Sequence, residues 1–303
     1  MNWDAFLSFA AFSGVGIVAL MAWWVIYDVV LTRGYPVRDA VFGRRPNAAV
    51  ALDMLGGMIA MGILVYSIVG GPQLETFVLD IEAVALSLLG TIILLALVRM
   101  LTGSFLRLWF GQQKDAHGQV VTFNNELFRQ HNIATGIFSS VIYLILAAGL
   151  VEQDLLDLDN SRWISLLNIL GVWIMGVAVI VVHSLFYLGM GTRHHILHEC
   201  FHDNNPAAAF SLLGLVGGML MLNHGLVGGL LPGEHMFNVA ELWYFLAAAI
   251  AFVLIARLIL QVILLGLLGI RLKVELVRDN VAWGILDGGL IFTLFLILVA
   301  LIV

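Results

Sequence analysis

Long apolar runs, each about the length of helix that crosses a ~30 Å hydrocarbon layer, recur along the chain between short polar connections. Eight can be drawn: Ala5 to Leu31, Asn47 to Val69, Phe77 to Leu101, Ile133 to Val151, Trp163 to Met190, Pro206 to Leu230, Leu242 to Ile270 and Val281 to Val303. Lipid offers no partner to open backbone N–H and C=O groups. The runs also lack the alternation of an outer-membrane barrel strand, so each predicts a helix. The expected fold is an all-α polytopic membrane protein with eight transmembrane helices.

Composition sharpens this picture. Hydrophobic residues make up 61% of 303 residues and charged residues 11%, with mean hydropathy +1.02, whereas water-soluble domains carry about 45–50% and about 25%. Too little polar surface remains to coat a soluble particle. The formal charge of -6 excludes a basic nucleic-acid-binding face. One cysteine, Cys200, excludes an internal disulfide and a multi-Cys metal site.

The basic residues sit on alternate connections. Arg33, Arg38, Arg44 and Arg45 follow the first run, Arg107, Lys114 and Arg129 the third, Arg193 the fifth, and Arg271, Lys273 and Arg278 the seventh. The other connections carry Glu75, Asp80, Glu82, Glu152, Asp154, Asp157, Asp159, Glu234 and Glu241, with Arg162 as the basic exception. Positive charge is retained in the cytoplasm, so both termini are expected on the periplasmic side of a bacterial inner membrane. With no basic residue before Arg33, the first run reads as a retained span rather than a cleaved signal peptide. Trp3, Trp163 and Trp243-Tyr244 fall at expected outer ends, where amphipathic rings prefer to sit.

The even-numbered runs open alike, on Asn47-Ala48-Ala49, Asn132-Ile133-Ala134, Asn205-Pro206-Ala207 and Asn280-Val281-Ala282. Runs two and six agree at an offset of 158, pairing Asn47 with Asn205, Gly56 with Gly214, Gly70 with Gly228 and Gly71 with Gly229. Runs four and eight agree at 148, pairing Asn132 with Asn280, Ala134 with Ala282, Gly136 with Gly284 and Ser139 with Asp287. A four-helix unit of two unlike hairpins is thus duplicated, residues 1–158 and 159–303, as four parallel hairpin repeats. The Asn-x-Ala-Ala opening, the glycines one to two turns later and the basic loop before them resemble the YjfL-like bacterial inner-membrane proteins, catalogued as domain of unknown function 350. The resemblance spans the chain as two tandem copies. It implies no biochemical activity; neighbouring genes of the family imply an envelope-stress or polyamine-thiol context.

Each Asn has a plain structural role, its side-chain oxygen capping the first turn of the helix, and Pro206 after Asn205 suits the first helical position. The alternative is that four helix N-termini converge on an anion or headgroup. Ionisable groups inside spans are more telling, because a charge at depth costs at least a few kcal/mol. Asp53 lies six residues past Asn47 and Asp287 seven past Asn280, which puts both ~10 Å inside the basic edge. Ser211 and Ser139 take the matching positions, and Asp28, Arg99 and Arg257 lie within reach. The expected arrangement is a ring of these residues facing the bundle interior, either as register-fixing ion pairs or as the lining of a path for protons, ions or a small solute.

A third feature is the cluster His194, His195, His198, Glu199 and His202, within which His198-Glu199-x-x-His202 spells the zincin signature. With Asp287 downstream it is superficially similar to a site-2-type intramembrane metalloprotease, with zinc on two imidazoles and a carboxylate and Glu199 as general base. Against this, the cluster falls in an interfacial segment, Asp287 is already accounted for by the repeat, and Asn205-Pro206 follows the histidines. Zinc at His194–His202 without catalysis, or a solvated polar face, are the other readings. The favoured expectation is a non-enzymatic membrane protein, either a pathway or a scaffold recruiting a cytoplasmic stress partner through the basic connections. Lipid is its certain neighbour, and Gly56-Gly57 and Gly217-Gly218 offer flat faces for a homo-oligomer.

Overall fold

A computed structural model describes residues 3–70, 77–114, 118–151, 196–229 and 278–302, with scattered positions between 176 and 275. Its named elements are all helical. They are α1 (Trp3–Ile26), α2 (Val37–Phe42), α3 (Ala48–Gly70), α4 (Phe77–Phe110), α5 (Ile133–Val151), α6 (Ile196–Phe201), α7 (Pro206–Gly229) and α8 (Val281–Ile302), with wide π-turns at Tyr27–Leu31 and Asn125–Arg129. Among the described residues, extended pairing is confined to a bridge between Lys114 and Val120.

Among the described residues, four stretches are long and apolar enough to cross a membrane: Ala10–Leu31, Ala48–Val65, Val84–Phe110 and Val281–Ala300. Shorter apolar helices, Ile133–Ala147, Pro206–Leu222 and Ile250–Ile259, occupy the places of the fourth, sixth and seventh sequence runs. The fifth, Trp163 to Met190, lies outside the described residues except for Gly176 and Ile180. Val18, Met21 and Val25 on α1 and Leu86, Leu89 and Ile93 on α4 present bare apolar faces. Such faces are stable only where lipid replaces water. The chain is an all-helical integral membrane protein.

Two elements differ from the sequence reading for local reasons. The stretch from Thr102 onward, expected as a connection, continues α4 because Leu106 and Phe110, four residues apart, both bury on one face. Gly111 then ends the helix at φ +58, its N–H bonding the Arg107 carbonyl at 3.0 Å, the left-handed stop that glycine adopts without a Cβ penalty. At the other end of the same layer, α1 widens into a π-turn. The Thr32 N–H reaches back to the Tyr27 carbonyl at 3.0 Å, and Thr32 Oγ1 bonds the carbonyls of Tyr27 and Asp28 at 2.9 and 3.2 Å.

Glycine governs how the helices cross. A Cβ at Gly136 would fall on the Ala49 carbonyl, and one at Gly56 on Ser140, so α3 and α5 touch backbone to backbone. The second half repeats the crossing at matching positions, Gly284 against Ala207 and Gly214 against Gly288, between α7 and α8. The halves meet where α5 packs on α7. There α6 inserts Phe201 among Phe138, Phe123 and Phe110, at ring separations of 5.0, 5.8 and 6.3 Å.

Candidate functional site

The four asparagines form the edge of the polar region, and each caps its helix. Asn47 Oδ1 accepts the Ala49 and Val50 N–H groups, Asn132 that of Thr135, Asn205 that of Ala208 and Asn280 that of Trp283. Their amides reveal a recurring clamp. Nδ2 donates to Glu126 Oε2 from Asn132 (3.1 Å), to Glu199 Oε2 from Asn205 (2.7 Å) and to Glu275 Oε2 from Asn280 (3.0 Å). The chain enters each of these caps through a left-handed residue, His131, Asn204 or Asp279. Asn47 departs from the pattern, donating instead to the Leu127 carbonyl at 2.6 Å and so tying α3 to the turn before α5.

Burial and the Glu199 charge push the Cys200 thiol up, holding it protonated. Asp279 is exposed, yet partial desolvation raises its carboxyl. Glu199 adds to that effect, and a bond from the Ala207 N–H opposes it.

Ionisable residues expected in one ring sort into two groups. In the first half Asp53 is wholly buried, and its Oδ2 accepts the Tyr27 hydroxyl at 2.6 Å and Arg99 Nε at 3.3 Å. Tyr143 lies beside Asp53 and Arg99 and packs edge-on to Trp23 at 5.7 Å. Yet Trp23 Nε1 and Asp53 Oδ1 are buried without a hydrogen-bond partner, and the Tyr143 hydroxyl, which faces Asp53 and Arg99, makes no close hydrogen bond. Ser139 turns back to the Gly136 carbonyl at 2.9 Å, and Asp28 is half-buried and takes no part in the bonds that hold Asp53.

In the second half Arg257 grips Asp287 with both arms, Nη2 at 2.6 Å from Oδ2 and Nε at 3.1 Å from Oδ1. Ser211 donates a short bond to Asp287 Oδ2 and lies 3.4 Å from Arg257 Nη2. The bidentate fork makes this carboxylate fully used, in contrast to Asp53. Arg99 and Arg257 are separated by the same 158 positions as Asp53 and Ser211. The guanidinium therefore keeps its place between halves while acid and serine exchange helices.

A cavity of about 470 Å³ opens at the basic end of the first half, lined by Arg99, Ser104, Arg107, Gln112, Thr122, Phe123 and Asn124 among others. Arg99 forms its inner wall. The guanidinium lies 3.4 Å over the Phe123 ring, and its Nη2 donates to Asn124 Oδ1 at 3.1 Å. One side chain thus touches the cavity on one side and Asp53 on the other.

The histidine cluster divides. His194 and His195 lie outside the described residues. Glu199 points inward to Asn205 and is 2% exposed, so it holds the repeat's structural position rather than that of a base facing solvent. His198 and His202 point outward to Asp203, a residue the zincin spacing passes over. Tyr27, Trp23 and Tyr143 also escape sequence reasoning, since an aromatic ring in an apolar run carries no mark of its polar atom.

No curated protein and no solved structure matches the chain. Residues 1–151 and 161–302 each match the family described as Domain of Unknown Function (DUF350). With two tandem matches that together cover nearly the whole chain, the chain belongs to the DUF350 family as a tandem pair.

Proposed function

We propose that this is a non-enzymatic inner-membrane protein whose first unit carries protons or a small polar solute, with its basic end in the cytoplasm. One observation carries the reading: Arg99 walls a basic-end cavity and also binds Asp53, around which Asp53 Oδ1, Tyr143 Oη and Trp23 Nε1 are buried without a close hydrogen bond. A buried polar atom without a partner costs about 1–3 kcal/mol. Three such atoms in one place are tolerable if water or solute completes them, and a buried water takes about three hydrogen bonds. The second unit supplies the contrast. Arg257, Asp287 and Ser211 satisfy one another and act as a rigid lock.

The test is reconstitution into liposomes with a pH-sensitive dye inside and an imposed gradient. Asp53→Asn is expected to lower flux about tenfold or more, the scale of a lost protonatable relay group. Ser139→Ala, whose hydroxyl bonds only its own helix, is expected to leave flux unchanged. Parent-like flux in correctly inserted Asp53→Asn protein would overturn the proposal.

A further inference from the structure

We propose a divalent transition-metal site of the zinc class on the outer face of α6, built from His198, His202 and Asp203. The last turn of α6 brings these residues together. The N–H groups of His202 and Asp203 both bond the His198 carbonyl, at 2.8 and 3.1 Å. Nδ1 of His198 then lies 3.0 Å from Asp203 Oδ2, and Nδ1 of His202 lies 2.7 Å from Oδ1. The rings stack at 4.2 Å, and one ligand atom from each residue falls within 4.8 Å of the others. Donors around a tetrahedral zinc with bonds of about 2.0–2.2 Å stand about 3.3 Å apart. Small side-chain shifts therefore convert this triangle into three corners of a coordination sphere, with the fourth open to water. Side-chain exposures of 25%, 24% and 38% leave the triangle within reach of a dissolved ion.

The repeat shows that the turn does not need these residues to fold. The copies ending in Asn132 and Asn280 make the same clamp with Glu126 and Glu275, and carry Arg129 and Arg278 three positions after that Glu, where this copy has His202. The histidine pair is thus an addition to a turn already held by Glu199 and Asn205. Softer nitrogen donors with one carboxylate suit zinc and its neighbours over magnesium or calcium. With Glu199 committed to Asn205, the site binds metal without the base that the zincin spacing would supply. This site stands independently of the pathway proposed above.

The experiment uses the full-length protein in detergent, stripped with chelator and titrated with zinc chloride, with cobalt(II) as a spectroscopic probe. One equivalent is expected to bind, with a rise in melting temperature and visible absorption bands of a tetrahedral or five-coordinate cobalt centre. His198→Ala/His202→Ala is expected to weaken binding about 100-fold or more, and Asp203→Asn about tenfold or more, at least the loss that removing a partner behind a metal ligand already causes. Circular dichroism checks that each variant folds, and Asp203→Asn provides a second route should the double variant misfold. Substoichiometric binding by the parent overturns the site. Parent-like affinity in the folded double variant, or binding abolished by His194→Ala/His195→Ala but retained in that variant, overturns it as well.

Discussion

Asp279 shows how one residue can fit its backbone and oppose its surroundings. Its φ of +59 lies in the left-handed region that Asn and Asp tolerate better than other side chains. Partial desolvation, with Glu199 nearby, raises the carboxyl of this exposed residue. A carboxyl raised in the folded state keeps its proton to higher pH than in the unfolded chain. The stability it contributes is present at acid pH and is lost as pH rises through the raised value. Asp279→Asn keeps the left-handed preference and an oxygen for the Ala207 N–H while removing the charge. Its melting temperature is expected to exceed the parent's at neutral pH, with the gap closing as pH falls toward about 4, the ordinary aspartate value. An equal gap at both pH values would assign the gain to something other than ionisation.

At the scale of the helix, small residues set the distance between neighbours. A side chain at Gly136 meets the Ala49 backbone, which cannot move aside, whereas a Cβ at Gly62 meets nothing within 4 Å. Gly136→Val is therefore expected to cost at least about 1–3 kcal/mol, the range for overpacking, and Gly62→Ala to be neutral. Size-exclusion profiles and melting in detergent distinguish the two outcomes.

The sequence makes this layer partly legible. Asn-cap spacing, paired glycines and the depth of Asp53 and Asp287 can all be read from periodicity and offset. Partner choice cannot: whether Arg99 meets Asp53 alone or a common ring depends on crossing angles that only the packed helices fix. The π-turn at Tyr27–Leu31 is likewise hidden, because it arises from backbone bonds to Thr32 rather than from a periodic pattern. The recurring Glu before Asn132, Asn205 and Asn280 was visible in the letters. Its third copy is masked by a spacing of five instead of six, and its second by the zincin coincidence.

On the scale of the molecule, the seam that α5 and α7 form between the halves is keyed by one small element, α6. Phe201 is fully buried and faces three phenylalanines of the first half, while Thr135 Oγ1 bonds the Cys200 carbonyl at 3.2 Å. Phe201→Ala is expected to lower stability by about 3–5 kcal/mol, as large aromatic truncations do. Cys200, buried beside it and the chain's single thiol, gives the readout. Maleimide labelling in detergent should be slow in the parent and fast in the variant; equal rates would show that the seam holds without the ring.

The exchange of acid and serine across helices gives the tandem a handedness of charge. In the first half the carboxylate belongs to the hairpin that opens the unit, on α3, and in the second to the hairpin that closes it, on α8. The repeated glycine crossing therefore carries its buried acid on a different helix in each half, and the electric field it sets up differs between them. Duplicating either unit in place of its partner would reproduce the glycine crossings but build a molecule with a different internal polarity.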